Sequence, residues 1–438
     1  RSVLKVKILV VGNGAREHAI CWKLKENPDI DVLFAAPGNA GTANIAQNVA
    51  ISPTSIDELL KFAKENSIDL TVIGPEGPLA EGIVNRFQGS GLLVFGPTEE
   101  AARIETSKTY AKNLMLRNGI PTAYSKTFST YTEASLYVEE LEPPIVVKAD
   151  GLAAGKGVVI ASTHSEAVDT LHQQMENKTL GVAGDRVLIE EYVEGQEISV
   201  FSFVDGEHVS RMVAACDYKR VHEGDVGPNT GGMGSYSPPL MWDTELEDKI
   251  RLEIMEPIAK ALLEDGCHYK GVLYAGLILT EEGPKVLEFN CRFGDPETQV
   301  ILPRLKTDLL QVMMCTAQGS LEKLTVNWES TACVGVVLAS KGYPNKYLTG
   351  YQISGLDQLT DQVRVFHAGT KVDETKKGAS PVSILTDGDI RRNSNNLYQK
   401  KILKVSSKNP TWIPDTATAL SAIEKMNSKG ITSLLVCS

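Results

Sequence analysis

The sequence has no pair of cysteines at metal-ligand spacing. Its seven cysteines (Cys21, Cys216, Cys267, Cys291, Cys315, Cys333, Cys437) stand singly. That excludes a zinc ribbon and a disulfide framework, and the odd count fits a reducing compartment. No apolar run approaches the ~20 residues of a membrane-spanning helix. The positively charged start, residues 1–7, runs straight into a strand pattern with no small-residue cleavage site. Cytoplasm is the expected location, and no membrane partner is expected. An initiator Met is also absent, as expected of a processed product or a fragment. A positive charge excess is missing too: the net charge of −11 argues against a general nucleic-acid binder, which needs clustered Lys and Arg. Phosphorylated small molecules stay open, because they need only a local pocket or oriented backbone amides.

What is present is ordinary globular material, 42% hydrophobic and 23% charged. At 438 residues the chain is too long for one core, and ~100–200 residues per domain suggests about three. Over the first hundred residues, apolar strands at 6–11, 32–36, 70–73 and 92–95 alternate with helical patterns at 16–25, 57–65 and 79–87. Continuous apolar strands in a βαβ rhythm predict a parallel sheet covered on both faces. Each strand ends in turn chemistry (Gly12, Pro37-Gly38, Gly74-Pro75, Gly96-Pro97), and ligands of such sheets sit at strand C-termini. Beyond residue 107 come a helix at 108–118 and strands at 145–148, 158–161, 187–189 and 198–204. A helix at 246–264, strands at 271–279 and 285–290, and a third, smaller β-rich unit from about 331 follow.

Four stretches carry chemistry. Gly12-Asn13-Gly14-Ala15-Arg16-Glu17 follows a strand and opens a helix, where backbone amides cradle an anion. Glu17 fills the third-glycine position of a dinucleotide turn, and the second strand ends in Ala35-Ala36 rather than a ribose-binding acid, so dinucleotide binding is disfavoured. Next, Val146-Val147-Lys148-Ala149-Asp150-Gly151 continues through Gly155-Lys156-Gly157-Val158. Lys148 leaves a buried strand as a phosphate-neutralising ammonium, and the small residues with Lys156 form a loop able to close over a γ-phosphoryl group. A P-loop fails, since Val158 stands where Ser or Thr should and a strand follows instead of a helix. In the third stretch, Glu190 ends a strand before the apolar Val193, which suits an adenine slot, and Glu197 suits ribose hydroxyls. In the fourth, Glu288 and Asn290 share a strand face and offer the hard oxygens Mg²⁺ requires, followed by the cationic Arg292. The glycines of Gly227-Pro228-Asn229-Thr230-Gly231-Gly232-Met233-Gly234 imply close approach to a ligand or another segment.

In order and content these motifs resemble the phosphoribosylamine–glycine ligase family of ATP-grasp enzymes over about residues 5–375. The residues that carry the resemblance are GNGAREHA (12–19), APGNAGT (36–42), IGPEGPLAEG (73–82), VVKADGLAAGKGV (146–158), GPNTGGMG (227–234), LEFNCRFGDPE (287–297) and FHAGT (366–370). The resemblance implies an α/β chain with an open parallel sheet at 1–105 and an ATP-grasp α+β domain at 106–328 whose mobile lid covers about 122–193. A partial β-rich C-terminal unit at 329–377 completes it. It also implies ATP with Mg²⁺ or Mn²⁺, and the substrates glycine and 5-phosphoribosylamine joined through glycyl phosphate. Lys108, Lys148, Gly155, Gly157, Glu190, Val193, Glu197 and Lys219 would surround ATP, and Glu288 with Asn290 would hold the metal. Gly12, Asn13, Gly14, Glu17, Pro37, Gly38 and Asn39 would line the amine-substrate side. Arg292, Asp217, Asp295 and Lys156 would act at the glycine and acyl phosphate.

Two departures stand out. The acid that many ATP-grasp enzymes place on the strand before the metal pair is replaced by Gly276-Leu277-Ile278. Residues 382–438, with Thr386-Asp387-Gly388-Asp389-Ile390-Arg391-Arg392, resemble an incomplete pair of CBS modules of the sugar-phosphate isomerase type. On that reading 378–438 is a foreign α/β tail, a fusion or a joining artefact, with an adenine nucleotide as a conceivable partner. The competing functions are a nucleotide-sensing regulator acting through this tail, and another ATP-grasp ligase or carboxylase of purine metabolism.

Overall fold

A computed structural model describes residues 5–153, 157–222, 226–356, 359, 363–372, 412–414 and 435–437. Strands β1 (Val6–Gly12), β2 (Ile30–Pro37), β3 (Gln47–Asn48), β4 (Leu70–Ile73) and β5 (Val94–Phe95) form a parallel sheet in the order β3-β2-β1-β4-β5. Ile8 and Val10 enter one core and Leu9 and Val11 another, all with no exposed surface, so both faces of β1 are covered. This is the two-sided burial that an uninterrupted apolar strand demands. The sheet's helices are α1 (Ala15–Leu24), α2 (Ile56–Glu65), α3 (Glu76–Ala80), α4 (Ile83–Gln88) and α5 (Glu99–Thr106). The single helix expected at 79–87 is two: Gly82 sits at φ +74° and its left-handed turn separates α3 from α4. The last strand starts at Val94 rather than 92, because the Leu92 N–H donates back to the Phe87 carbonyl at 3.0 Å.

Ser107 then caps α6 (Lys108–Arg117), accepting from the Tyr110 N–H at 3.2 Å. The chain rises into β6 (Ser125–Phe128), α7 (Tyr131–Glu139), β7 (Ile145–Ala149), β8 (Val158–Ala161), α8 (His164–Leu171) and β9 (Val187–Glu191). Their sheet is antiparallel in the order β6-β9-β7-β8. This unit occupies the stretch expected to form a lid, and it buries its own separate core of Phe128, Val138, Ile145, Val147, Leu171, Val187 and Ile189.

The larger sheet beneath it comprises β10 (Gln196–Asp205), β11 (His208–Val209), β12 (Val213–Asp217), β15 (Gly234–Ser237), β16 (Lys270–Thr280), β17 (Gly283–Asn290) and β18 (Cys333–Val336). A hairpin of β13 (Arg220–His222) and β14 (Val226–Asn229) projects beside it. The helices are α9 (Thr244–Ile250), α10 (Glu256–Glu264), α11 (Thr298–Ile301) and α12 (Leu309–Gln318). The uninterrupted helix expected at 246–264 is broken by a π turn at Arg251–Met255. Pro257 at the start of α10 has no N–H for an i−4 carbonyl, which favours that wider turn. The strand β18, in the stretch expected to begin a third unit, pairs with β15 and extends the large sheet. The loop around 366–370 packs on the N-terminal sheet, with the Ala40 N–H donating to the Thr370 carbonyl at 3.2 Å. In the tail, β19 (Trp412–Pro414) and β20 (Leu435–Cys437) form a parallel pair; the rest of the segment for which a CBS resemblance was expected lies outside the described residues.

Candidate active site

One cluster of charged side chains is built where β7 and β9 meet β17. In the β7–β9 register Val146 faces Glu190, so Lys148, two residues on, lies diagonal to Glu190 on the same face. The Lys148 Nζ is 2.7 Å from Glu190 Oε2 and donates to the Leu287 carbonyl at 3.0 Å. The other carboxylate oxygen meets Lys112 Nζ at 3.1 Å, and all three residues are at most 5% exposed. Lys108 is placed by Asp150. The Asp150 carbonyl accepts the Lys108 N–H at 3.1 Å, its side chain accepts the Thr109 N–H at 2.7 Å, and Arg186 pairs with it at 2.8 Å. The small residues are required by space, since a Cβ on Gly157 would lie 2.8 Å from that of Ala153. Gly155 and Lys156 fall outside the described residues. Val193 is half-buried between β9 and β10, and a Cβ on Gly195 would meet the Leu279 carbonyl oxygen at 2.2 Å. Glu197 is exposed and pairs with Lys219 at 3.3 Å.

Glu288 and Asn290 project from one face of β17, with Gly276 directly across from Glu288. Burial works to raise the Glu288 carboxyl, but Lys219, Lys108, Lys148 and Arg292 outweigh it and hold it below its ordinary value. A deprotonated carboxylate and an amide oxygen suit Mg²⁺ or Mn²⁺. Among the described residues no group of three His, Cys, Asp or Glu converges as a metal cage.

The next groups line the same cleft toward the N-terminal sheet. Arg292 is held by Glu105 at 2.9 Å and Glu76 at 3.1 Å, and donates to Asn290 Oδ1 at 3.3 Å. Burial alone would lower its guanidinium, and the two glutamates more than reverse that. Asp217 ends β12 with its carboxyl pushed up to about 7, by burial first and then by Glu297 and Glu197, against the pull of Lys219. Glu297 is buried and accepts from Tyr274 Oη at 2.9 Å and Ser199 Oγ at 3.1 Å.

On the far wall, Gly12 and Gly14 do not stand open to a ligand. The Gly14 N–H donates to Glu17 Oε2 at 2.6 Å, and a Cβ on Gly12, Gly14 or Gly74 would lie within 2.7 Å of the Glu17 side chain. Glu17 therefore takes the acceptor role that the sequence left for an exogenous anion. Arg16 pairs with Glu17 Oε1 at 2.6 Å and donates to the Phe293 carbonyl at 3.1 Å, so this turn is tied to the strand end that carries Arg292. Asp295 comes within 3.5 Å of where a Gly14 Cβ would be. Asn39, after Pro37-Gly38, donates to the carbonyls of Asn13 (2.9 Å), Gly14 (3.2 Å) and His367 (2.7 Å). The His367 N–H donates to His18 Nδ1 at 2.9 Å, which closes the FHAGT loop on the GNGAREHA turn.

Thus Lys108, Lys148, Lys219 and Arg292 gather near Glu288, with Glu190 on Lys148, Asn290 on Arg292 and Asp217 on Lys219, and the turn from Gly12 to Glu17 is tied to this group through Arg16 and Phe293. Sequence reasoning missed Lys112, Asp150, Glu76, Glu105 and Glu297. Lys112 had a signal in its i+4 spacing from Lys108. Glu76 lies inside IGPEGPLAEG and Glu297 ends LEFNCRFGDPE, but nothing local says which acid of a motif turns inward.

A four-stranded antiparallel sheet beside a larger antiparallel one, with lysines near an acid-and-amide pair on β17, is the architecture of an ATP-grasp ligase. The comparisons narrow this. Residues 6–105 match the phosphoribosylglycinamide synthetase N domain, 106–298 its ATP-grasp (A) domain, and 333–388 its C domain. The chain is 52% identical over 370 residues to a phosphoribosylamine–glycine ligase of Halalkalibacterium halodurans, covering 84% of this chain and 86% of the relative. It is 47% identical over 404 residues to one of Caldanaerobacter subterraneus subsp. tengcongensis, covering 92% and 97%. The crystal structure of phosphoribosylamine–glycine ligase from Thermotoga maritima superposes with a TM-score of 0.75 at 32% identity, covering 90% of this chain and 97% of that one. The chain belongs to the phosphoribosylamine–glycine ligase family. The C-domain match runs to 388, beyond the departure near 378 suggested by the sequence. Among the described residues no helix is long and apolar enough to cross a membrane.

Proposed function

We propose that this enzyme ligates glycine to 5-phosphoribosylamine in purine biosynthesis, using ATP and forming glycyl phosphate. The observation that carries the reading is the join at Arg292: the residue follows the metal pair and is gripped by Glu76 of the N-terminal domain. On this reading, the groups assigned to nucleotide, acid and amine meet through this pair. A glycine carboxylate oxygen attacks the γ-phosphorus and ADP leaves. The amine nitrogen then attacks the acyl carbon, phosphate departs, and the nitrogen loses a proton. Lys108 and Lys148 neutralise phosphate charge, and Arg292 orients the carboxylate and then the acyl phosphate. Glu288 and Asn290 would hold Mg²⁺ or Mn²⁺, which when bound offsets charge on the transferring phosphoryl group. Asp217, poised near neutrality, can take the proton released by the amine. Asp295 and the wall from Gly12 to Glu17 border the amine substrate, with Pro37, Gly38 and Asn39 behind.

Glycine labelled with ¹⁸O in its carboxylate tests the route. Label should pass into the inorganic phosphate, and only when both co-substrates are present should glycinamide ribonucleotide accumulate. Product with unlabelled phosphate would exclude an acyl phosphate. ATP turnover that ignores glycine would exclude the substrate assignment.

A further inference from the structure

Lys112 belongs to none of the motifs, yet its surroundings are the most constrained of any lysine near the cleft. It sits one helical turn after Lys108 on α6, is 4% exposed, and has three acceptors. These are Glu190 Oε1 at 3.1 Å, Thr122 Oγ1 at 2.7 Å and the Ala123 carbonyl at 3.1 Å. Both chain crossings of the lid pass through these contacts, since residues 122–123 lead into β6 and Glu190 stands near the end of β9. Thr122 Oγ1 donates onward to the Val286 carbonyl at 2.8 Å, and the Val286 N–H donates to the Pro121 carbonyl at 2.8 Å. The entry hinge is therefore fastened to β17 two residues before Glu288. The exit hinge is fastened through Glu190, whose second oxygen takes Lys148.

Two buried ammonium groups share this single carboxylate. A buried cation without its own counter-ion is costly, and an apolar side chain of similar length would serve the fold better. Burial depresses the Lys112 ammonium and Lys148 adds to the depression, while Glu190 opposes both. The arrangement makes sense if an anion completes it. We propose that Lys112 is a positioning residue for ATP. It pins both lid hinges to the floor strand and aims Lys148 through Glu190 at the nucleotide phosphates. This rests on the assignment of Lys148 to nucleotide phosphate.

The test compares K112M, K112R and T122V with K148M in the full chain, by steady-state kinetics, ATP calorimetry and thermal melting. K112M should raise the KM and Kd for ATP about tenfold or more, the scale of truncating a buried charge partner. The KM values for glycine and phosphoribosylamine should change less than about twofold, and K112R should recover part of the loss. T122V, which keeps every charge, should raise the ATP KM less. K148M raising the ATP KM while K112M does not would overturn the inference and leave the site reading intact. K148M leaving ATP binding unchanged would overturn the site reading itself. A K112M effect spread equally over all three substrates, with a lowered melting temperature, would make Lys112 merely structural and also overturn the inference. Should K112M not fold, T122V decides: an ATP-specific rise in KM supports the role, and an unchanged KM removes it.

Discussion

Glu76 and Arg292 meet across the seam between the N-terminal sheet and the ATP-grasp sheet, carboxylate to guanidinium at 3.1 Å. The pair is partly solvated, and Glu105 remains to compensate the arginine. E76Q should therefore cost less than about 1 kcal/mol of stability. It should raise the KM for glycine, and lower kcat, by about tenfold through misaligned Arg292. Denaturant melts and initial-rate kinetics separate the two effects.

Asp217 should set a limb in the pH profile. With its carboxyl near 7 in the free enzyme, kcat/KM should rise as pH passes through 7. D217N should flatten that limb and lower the plateau by about 10²-fold, as expected for losing a proton acceptor. An unchanged profile in D217N would assign the limb to another group.

His18 carries a stability prediction of definite sign. Burial, and then His367, lower its ring from 6.5 to about 4. A depressed histidine contributes its full stability above the unfolded value and loses it as pH falls through the folded one. Native stability should decline by up to about 3 kcal/mol between pH 6.5 and 4 through this group. H18N keeps a side-chain acceptor for the His367 N–H and should flatten that slope, measured by urea melts across the range.

Neighbouring glycines in GPNTGGMG should respond unequally. Gly232 has φ +120°, and a Cβ there would lie 2.3 Å from Pro296 Cδ. G232A should cost ~2–4 kcal/mol by strain and displacement of the turn at Pro296. At Gly231 the nearest atom is the Tyr343 hydroxyl at 3.3 Å, and G231A should cost under about 1 kcal/mol. Thermal melts of the two variants give the comparison directly.

The N-terminal sheet was legible because its strands are buried on both faces and so read as continuous apolar runs between turn residues. The strand positions of Lys148, Glu190, Glu288 and Asn290 were legible because each sits on such a strand, where alternation fixes its face. The short strands β12 and β15 escaped notice, since Val213–Asp217 and Gly234–Ser237 owe their extended form to neighbours distant in sequence. Lys112 and Glu105 escaped for a related reason. A helix periodicity says which face is apolar but not which charged residue at its edge will find a partner. Glu17 was misjudged differently: a glycine turn announces room for an anion, and the chain's own carboxylate fills it.

The hydrogen bond from His367 to His18 spans 349 residues. Synthesis at ~5–20 residues per second would separate their emergence by roughly 20–70 s. For that interval the nascent N-terminal sheet, though complete in strands, must wait with the His18 ring uncovered. The turn from Gly12 to Glu17 is closed by the 366–370 loop only after that loop has been made.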